Sequence, residues 1–347
     1  MTPPRLSICI ATYSRGAFIG ETLENILAQW EPGVEVIVVD GASPDDTADV
    51  VARVQARHPA LVLYREAVNS GVDADFDKAV GYAQGEYCWL LSDDDMLRPG
   101  AVRTVLAALE DGPDLVVVNA EVRDKELAAI VKPDLLRIGS DRTFAAGEHE
   151  ALFAATCDYL SFIGGVVVRR ATWLARDRRS YYGTLFIHIG TLFQAPALGR
   201  AKAIARPLVS IRYGNAMWSG RAFEIWVAKW PRLVWSFAQF AEATRAKVIA
   251  RHPGRSLQTL VWYRALGVYG AAEFEKVFGE GGEPHHPLAA LVARAPARLL
   301  NAAIALWCAL RRPPGRAMML FELSRAASAS AIARRLYAGL SAARRTP

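Results

Sequence analysis

The sequence lacks the two commonest phosphate cradles. No Gly-x-Gly-x-x-Gly follows its first strand-like run, and Gly-x-x-x-x-Gly-Lys-Ser/Thr occurs nowhere, so neither a dinucleotide-binding turn nor a P-loop is supported. Cysteine is scarce. Cys9, Cys88, Cys157 and Cys308 form no Cys-x-x-Cys pair and keep no regular spacing. That leaves no disulfide framework, and three of the four sit in apolar runs, as reduced packing residues of a cytosolic protein would. No secretory pattern precedes the first strand, which follows directly on Met1-Thr-Pro-Pro-Arg5. A long apolar run is missing as well. Leu299 to Leu310, bounded by Arg298 and Arg311, falls well short of the about 20 apolar residues a spanning helix needs, and reads as a core helix or an interfacial one. The body of the chain also lacks net charge. From Arg311 onward eight arginines stand against one acid, Glu322, so the tail is +7 and the rest of the chain −1, for a net charge of +6. Basic residues gathered there, and not beside the aromatics, argue against a nucleic-acid binder.

What is present can build a substantial core. Of 347 residues, 52% are hydrophobic, enough for one large domain or a domain plus a C-terminal subdomain. The chain is organised around Glu86 to Gly100. Tyr87 to Leu91 is a nearly all-apolar run, which predicts a strand buried on both faces. Asp93, Asp94 and Asp95 follow at its end, and Pro99 opens an amphipathic helix with Val102, Val105, Leu106 and Leu109 on one face. Three adjacent carboxylates at a sheet edge repel one another. They read either as a solvated helix-capping turn or as a hard-oxygen site for Mg2+ or Mn2+ shared with a phosphate. Further strands are expected at Leu6 to Ala11, Val34 to Val39, Leu61 to Tyr64 and Leu115 to Val118, with helices over 19–29, 47–57, 72–83 and 101–110. This alternation predicts an α/β fold with a doubly wound, mostly parallel sheet. Such sheets bind ligands at the carboxyl ends of their strands, where Thr12, Tyr13, Asp40 and Asp93 to Asp95 all lie.

Four motifs, in order and spacing, resemble the family 2 glycosyltransferases of the GT-A fold. They are Ile10-Ala-Thr-Tyr-Ser-Arg15, Val36-Ile-Val-Val-Asp-Gly-Ala-Ser-Pro-Asp-Asp-Thr47, Asn69-Ser-Gly71 and Gly85-Glu-Tyr-Cys-Trp-Leu-Leu-Ser-Asp-Asp-Asp95. Phe162 to Arg169 and Ile211 to Asn215 resemble, more loosely, the abequosyltransferase-like branch, which adds sugars to lipid-linked repeat units of surface polysaccharides. The resemblance implies a Rossmann-like GT-A domain over residues 1–215, with a nucleotide-sugar half (1–120) and an acceptor half (121–215), then a mainly helical region over 216–347. Thr12 and Tyr13 would line the nucleotide pocket, and Asp40 would bond the base or ribose. Asn69, Asp77 and Asp93 would complete the nucleotide set. Asp94 falls where the family's metal-ligating aspartate lies. Ser92 replaces the usual first Asp, so the division of metal ligation among Asp93, Asp94 and Asp95 stays open. Asp77 stands where the family commonly has Asn. It is expected either to pair with Lys78 or Arg65, to bind the base, or to lie on the helix surface, and Asp73 and Asp75 read as surface acids.

The family's inverting displacement needs a base for the acceptor hydroxyl. The stretch matching the family's acidic pair, Tyr181 to Gln194, holds one ionisable candidate, His188, which reads either as that base or as a core histidine. Asp158 is the second candidate. Arg212, Asn215 and Trp218 form a candidate acceptor loop, whereas Phe223, Trp226, Val227 and Trp230 have the spacing of a packed helix. In the tail, Ile332, Leu336 and Leu340 make an apolar stripe beside Arg334, Arg335, Arg344 and Arg345. That is the pattern of a helix on an anionic inner leaflet, or of one packed on its own domain. The expectation is a metal-dependent inverting glycosyltransferase, cytoplasmic and peripheral on the inner face of the plasma membrane. It would move a sugar from a nucleotide-sugar donor to a polyprenyl-diphosphate-linked saccharide, with homodimerisation left open. Two alternatives stand beside it. A nucleotidyltransferase of similar sheet would want a richer basic loop than Thr12-Tyr-Ser-Arg-Gly16, and a non-catalytic saccharide-binding or scaffold member would lack donor turnover.

Overall fold

Apolar runs with no polar face become strands covered on both sides. They are β1 (Leu6–Thr12), β2 (Val34–Asp40), β3 (Leu61–Arg65) and β4 (Tyr87–Leu91), the last buried at every residue. Helices α1 (Gly16–Leu27), α2 (Thr47–Gln55) and α3 (Val72–Tyr82) connect them, turning Leu23 and Ile26, Val51 and Val54, and Phe76, Ala79 and Val80 inward. Next come β5 (Met96–Leu97), α4 (Ala101–Ala108) and β6 (Leu115–Arg123). They are followed by β7 (Ile130–Lys132), β8 (Arg142–Phe144), α5 (His149–Thr156), β9 (Val166–Arg169), α6 (Arg170–Leu174), α7 (Ile187–Phe193) and β10 (Ala201–Arg212). This computed structural model describes residues 3–215 and 218–345.

The sheet runs β3-β2-β1-β4-β9-β6-β10-β5. β1 is parallel to β2 and β4, and β2 to β3. β9 is antiparallel to β4 and β6, and β5 to β10, so the parallel half ends at β4 and the whole is mixed. The reason is local. Two tight turns, Tyr159–Ser161 and Ile163–Gly165, deliver the chain to β9 at the carboxyl end of β4, from which β9 can only run back. The Trp89 indole fixes that approach by donating to Gly164 O at 2.9 Å. The chain order reverses between β1 and β4, which opens a crevice outside their carboxyl ends.

The chain divides into two compact units. One comprises the chain up to Val122, Pro133–Arg212 and Gln239–Thr244, and holds the sheet. The other comprises Arg123–Lys132, Tyr213–Ala238 and the chain from Arg245 onward. After β10 the elements are helical: α8 (Ala222–Glu224), α9 (Trp230–Ser236), α10 (Glu242–Val248), α11 (Leu257–Leu266), α12 (Ala271–Phe274), α13 (Ala289–Arg294), α14 (Ala297–Arg311), α15 (Arg316–Arg325) and α16 (Ala331–Arg345). Phe223 and Val227 pack with Leu260, Tyr269 and Phe278, and Trp230 is buried, as their helical spacing predicts.

The tail departs from one of its two readings. Leu336 and Leu340 pack against a cluster of Ala265, Ala305, Cys308, Leu320, Leu323 and Ala333. Only Ile332 of the predicted stripe faces outward. The apolar side of α16 is thus used within its own unit and is not a lipid face. Arg334 and Arg335 are exposed, while Arg344 and Arg345 lie outside the residues whose side chains are described. Among the described residues no helix is long and apolar enough to cross a membrane.

Candidate nucleotide and cation site

β1 and β2 end side by side, with Thr12 in register with Asp40. Each strand turns out through a non-glycine residue in the left-handed region, Ser14 at φ 55 and Ala42 at φ 63. Such strain persists where surrounding bonds over-determine the loop. Those bonds are present. Ser14 N donates to Ser43 Oγ at 2.9 Å, Arg15 N to Thr47 Oγ1 at 2.8 Å, Gly41 N to Thr12 O at 3.0 Å and Ser43 N to Asp40 Oδ1 at 2.9 Å. Asp40 is fully buried, yet its Oδ2 has no hydrogen-bond donor among the described residues; Arg65 Nε lies 3.5 Å from it as an ion pair. An acceptor left unmade costs about 1–3 kcal/mol, which an N–H or hydroxyl of a bound ligand would recover.

β4 delivers the three aspartates beside that loop. Thr12 Oγ1 donates to Asp93 Oδ2 at 2.7 Å, and Arg15 Nε donates to Asp93 Oδ1 at 3.0 Å. The same guanidinium pairs with Asp94, whose other oxygen accepts from Ser92 Oγ. Asp95 Oδ1 accepts from Arg212 N at 2.9 Å, and Arg212 Nε donates to Asp94 O at 3.0 Å before its tip reaches Glu21 at 2.6 Å. The guanidiniums of Arg15 and Arg212 both lie over Phe18, at 4.6 and 5.5 Å from the ring centre. All three carboxylates and both arginines are less than a tenth exposed. Burial raises Asp93 to about 6; Arg15 pulls it down and Asp94 pushes it up. Burial, reinforced by Asp94, also holds Asp95 well above the carboxylate range.

Burial favours the neutral form of Asp95, which leaves Asp93 and Asp94 facing Arg15, with Arg212 shared with Glu21. The cluster is short of positive charge, and its donors are hard oxygens. Among the described residues no three Asp, Glu, His or Cys side chains converge on one point. The set suits Mg2+ or Mn2+ held by one or two carboxylates and completed by water and phosphate oxygens. The residues present fit such a cation.

Other predicted residues fall differently. Tyr13 is half-buried in the first loop, and Asn69 is exposed, its Oδ1 accepting from Gly71 N at 2.8 Å. Asp77 pairs neither with Lys78 nor with Arg65. It accepts from the Trp173 indole at 2.9 Å and from Tyr182 OH at 2.7 Å, and Arg178 Nε lies at 2.7 Å. These contacts anchor α3 to the segment that carries Trp173, Arg178 and Tyr182. Asp73 and Asp75 are buried, not surface acids. Asp73 accepts from Leu185 N at 2.9 Å and Ile187 N at 3.0 Å, tying down the start of α7. Asp75 accepts from Ser70 Oγ at 2.6 Å and is raised by its burial. Its other oxygen sits so near the second loop that a Cβ on Gly41 would lie 2.5 Å away, so any larger residue there must displace the Asp75 carboxylate.

His188 takes the core reading. It is 2% exposed, its Nε2 lies 2.8 Å from Leu160 O, and burial pushes its pKa down to about 4. Its Nδ1 is enclosed and has no partner among the described residues. Asp158, by contrast, is exposed at the turn that opens Tyr159–Ser161. The next residue, Tyr159, is buried and donates to Val118 O, and burial raises its pKa. Arg212 is not a loop residue available to an acceptor, because it closes β10 and braces the aspartates. Asn215 and Trp218 belong to the helical unit, where Trp218 is 43% exposed and meets Trp226 edge to face.

The family model described as "Glycosyl transferase family 2" matches residues 7–191, more than half of the chain. The abequosyltransferase of Salmonella typhimurium is 26% identical over 224 residues, covering 60% of this chain and 67% of that one. A Campylobacter jejuni protein named as a β-1,3-glucosyltransferase acting on GalNAc(5)-diNAcBac-PP-undecaprenol is 28% identical over 110 residues, covering 31% of this chain and 36% of that one. Among solved structures, TarS residues 1–349 of S. aureus with UDP-GlcNAc bound matches over 92% of this chain and 91% of that one. Its TM-score is 0.58 at 16% identity, a likeness of fold.

Proposed function

This chain belongs to glycosyl transferase family 2, and we propose that it transfers a sugar, with inversion, from a nucleoside-diphosphate donor to a saccharide on a polyprenyl diphosphate during assembly of a bacterial surface polysaccharide. One observation carries the reading: the enclosed acceptor of Asp40 and the Asp93–Asp94 pair stand at the carboxyl ends of the neighbouring strands β1, β2 and β4. In this reading Asp40 Oδ2 accepts from the base or ribose, with Tyr13 and Asp75 lining the same loop. Asp93 and Asp94 would hold the cation, with Asp95 braced by the Arg212 N–H beside them. When bound, Mg2+ or Mn2+ supplies Lewis-acid stabilisation of the charge that develops on the departing diphosphate. Arg15 offsets the charge of the aspartates until the cation arrives. Asp158 takes the proton from the acceptor hydroxyl as that oxygen bonds to the anomeric carbon and the bond to the donor phosphate breaks.

The relative named for an undecaprenol-linked saccharide supports the acceptor class, and a lipid-borne acceptor implies work at the inner membrane face. Asn215 and Trp218 are the acceptor-side candidates, since a Trp edge beside an amide suits a sugar's C–H face and hydroxyls. Calorimetric titration with UDP, GDP, CDP and TDP, each with and without Mn2+, tests the donor site. One nucleotide is expected to bind in a Mn2+-dependent way. Binding of none, with or without the cation, would overturn the reading in favour of a scaffold.

A further inference from the structure

α14 is turned inside out. Its central polar residue, Asn301, is fully buried, donating to Ala265 O at 3.1 Å and Leu323 O at 3.0 Å and accepting from Ser330 N at 3.0 Å. Ala305 and Cys308 lie inside with it. Those three bonds fix the helix's rotation, and the face left outside is apolar. Leu299 is 68% exposed, Leu306 45%, Trp307 46% and Leu310 80%, with Ala303 exposed between them. Positions 299, 303, 306 and 310 stack on one stripe at helical spacing. Leu288 and Leu291, just upstream at α13, are exposed as well.

Charge surrounds this stripe with one sign. Arg298 and Arg311 flank it on the wheel, Arg312 follows, and Arg294 and Arg316 lie close in sequence; no Asp or Glu occurs from residue 284 to residue 321. A two-fold contact with a second copy would set these arginines against one another with no acid to pair them, which disfavours a dimer through this face. Leucines with a tryptophan on one face, arginines at its borders and a length too short to span are the make-up of a helix lying in a membrane interface. We propose that the outer face of α14 docks on an anionic lipid surface, with Leu299, Leu306, Trp307 and Leu310 entering the headgroup–acyl boundary and the arginines meeting lipid phosphates. This deepens the reading of a lipid-linked acceptor, but it rests on residues that take no part in the donor site.

The test is flotation of the full chain with phosphatidylcholine vesicles, with and without phosphatidylglycerol. The variants are Leu306→Glu/Leu310→Glu, whose side chains face solvent, and Arg334→Glu/Arg335→Glu on α16. Wild type is expected to float with the anionic vesicles, less at high salt, and the leucine variant to lose about tenfold or more of that binding. The α16 variant should lose much less. Circular dichroism and nucleotide binding should be unchanged in the leucine variant, which separates a lost docking face from a lost fold or a lost donor site. Three results would overturn the proposal: no binding by wild type, undiminished binding by the leucine variant, or a wild-type dimer in light scattering that this variant converts to monomer. If wild type floats yet binds no nucleotide, the docking face stands and the enzymatic reading falls.

Discussion

Replacing Arg15 by Ala tests how the aspartate cluster is kept charged before a cation arrives. Arg15 is 7% exposed, bonds Asp93 through Nε at 3.0 Å and pairs with Asp94 through its second nitrogen. Arg212 meets Asp94 through a backbone oxygen and Asp95 through its own backbone N–H, and its guanidinium tip reaches Glu21. Removing one member of a buried ion pair costs about 3–5 kcal/mol, because the carboxylates are left buried without a counter-charge. A divalent ion entering the wild-type site alone must displace Arg15 and bear a similar cost. The Arg15→Ala protein should therefore melt earlier than wild type in EDTA. It should also bind Mn2+ without nucleotide about 100-fold more tightly, taking about 3 kcal/mol at 1.4 kcal/mol per decade. Mn2+ should then restore most of the lost thermal stability, a gain smaller in wild type. The assay is Mn2+ titration followed by calorimetry, paired with thermal melts. Equal Mn2+ affinity in the two proteins would refute the reasoning. A second result would refute it differently: if Arg15 stands in for the metal, wild-type turnover survives EDTA and Arg15→Ala alone abolishes it.

Three further outcomes follow from the same geometry. His188 sits at about 4, below its ordinary value near 6.5, so between those pH values the unfolded chain binds a proton that the folded chain refuses. Stability should fall by up to about 3 kcal/mol as pH drops through that window. Chemical unfolding of His188→Gln should show a flatter pH dependence there; parallel curves would dismiss the buried ring as the cause. Asp158→Asn should lower kcat by about 10²–10⁴-fold while leaving donor KM near wild type, as loss of a general base does, and an unchanged rate moves the base elsewhere. Asp73→Ala strands the N–H groups of Leu185 and Ile187 and should cost about 2–4 kcal/mol. Thermal melting measures it, with Asp73→Asn, which keeps an acceptor oxygen, expected to lose less.

The sheet was legible because a strand covered on both faces has little choice of composition. Ile8 to Ile10, Val36 to Val39 and Tyr87 to Leu91 are apolar throughout, and the polar residue that ends each run marks its carboxyl end. Thr12, Asp40 and the triple Asp were readable for that reason. What the sequence hid is which side chains answer them. Arg15 stood in view but carried no mark of its partner 78 residues on, and Arg212 meets Asp94 across 118 residues of chain. Asp73 and Asp75 occupy helix positions that periodicity assigns to solvent. Their burial is decided by Leu185, Ile187 and the close approach of Gly41, contacts that no local pattern encodes.

Amphipathic helices expose the deeper limit. α16 has a clean stripe of Leu336 and Leu340 edged by arginines, and that stripe packs inward on its own unit. α14 has one polar residue in an apolar run, and pattern alone would turn Asn301 to water; instead it turns to the backbone of α11 and α15, where Ala265 O and Leu323 O need a donor. Turning Asn301 inward satisfies two buried carbonyls and one backbone N–H, and the leucines on the opposite face are rotated outward with it. Apolar periodicity along a helix weighs each residue by its own transfer energy and is blind to what the neighbouring helices lack. The same composition thus yields a core stripe in α16 and an outward one in α14, and the difference lies in three backbone bonds held by one asparagine.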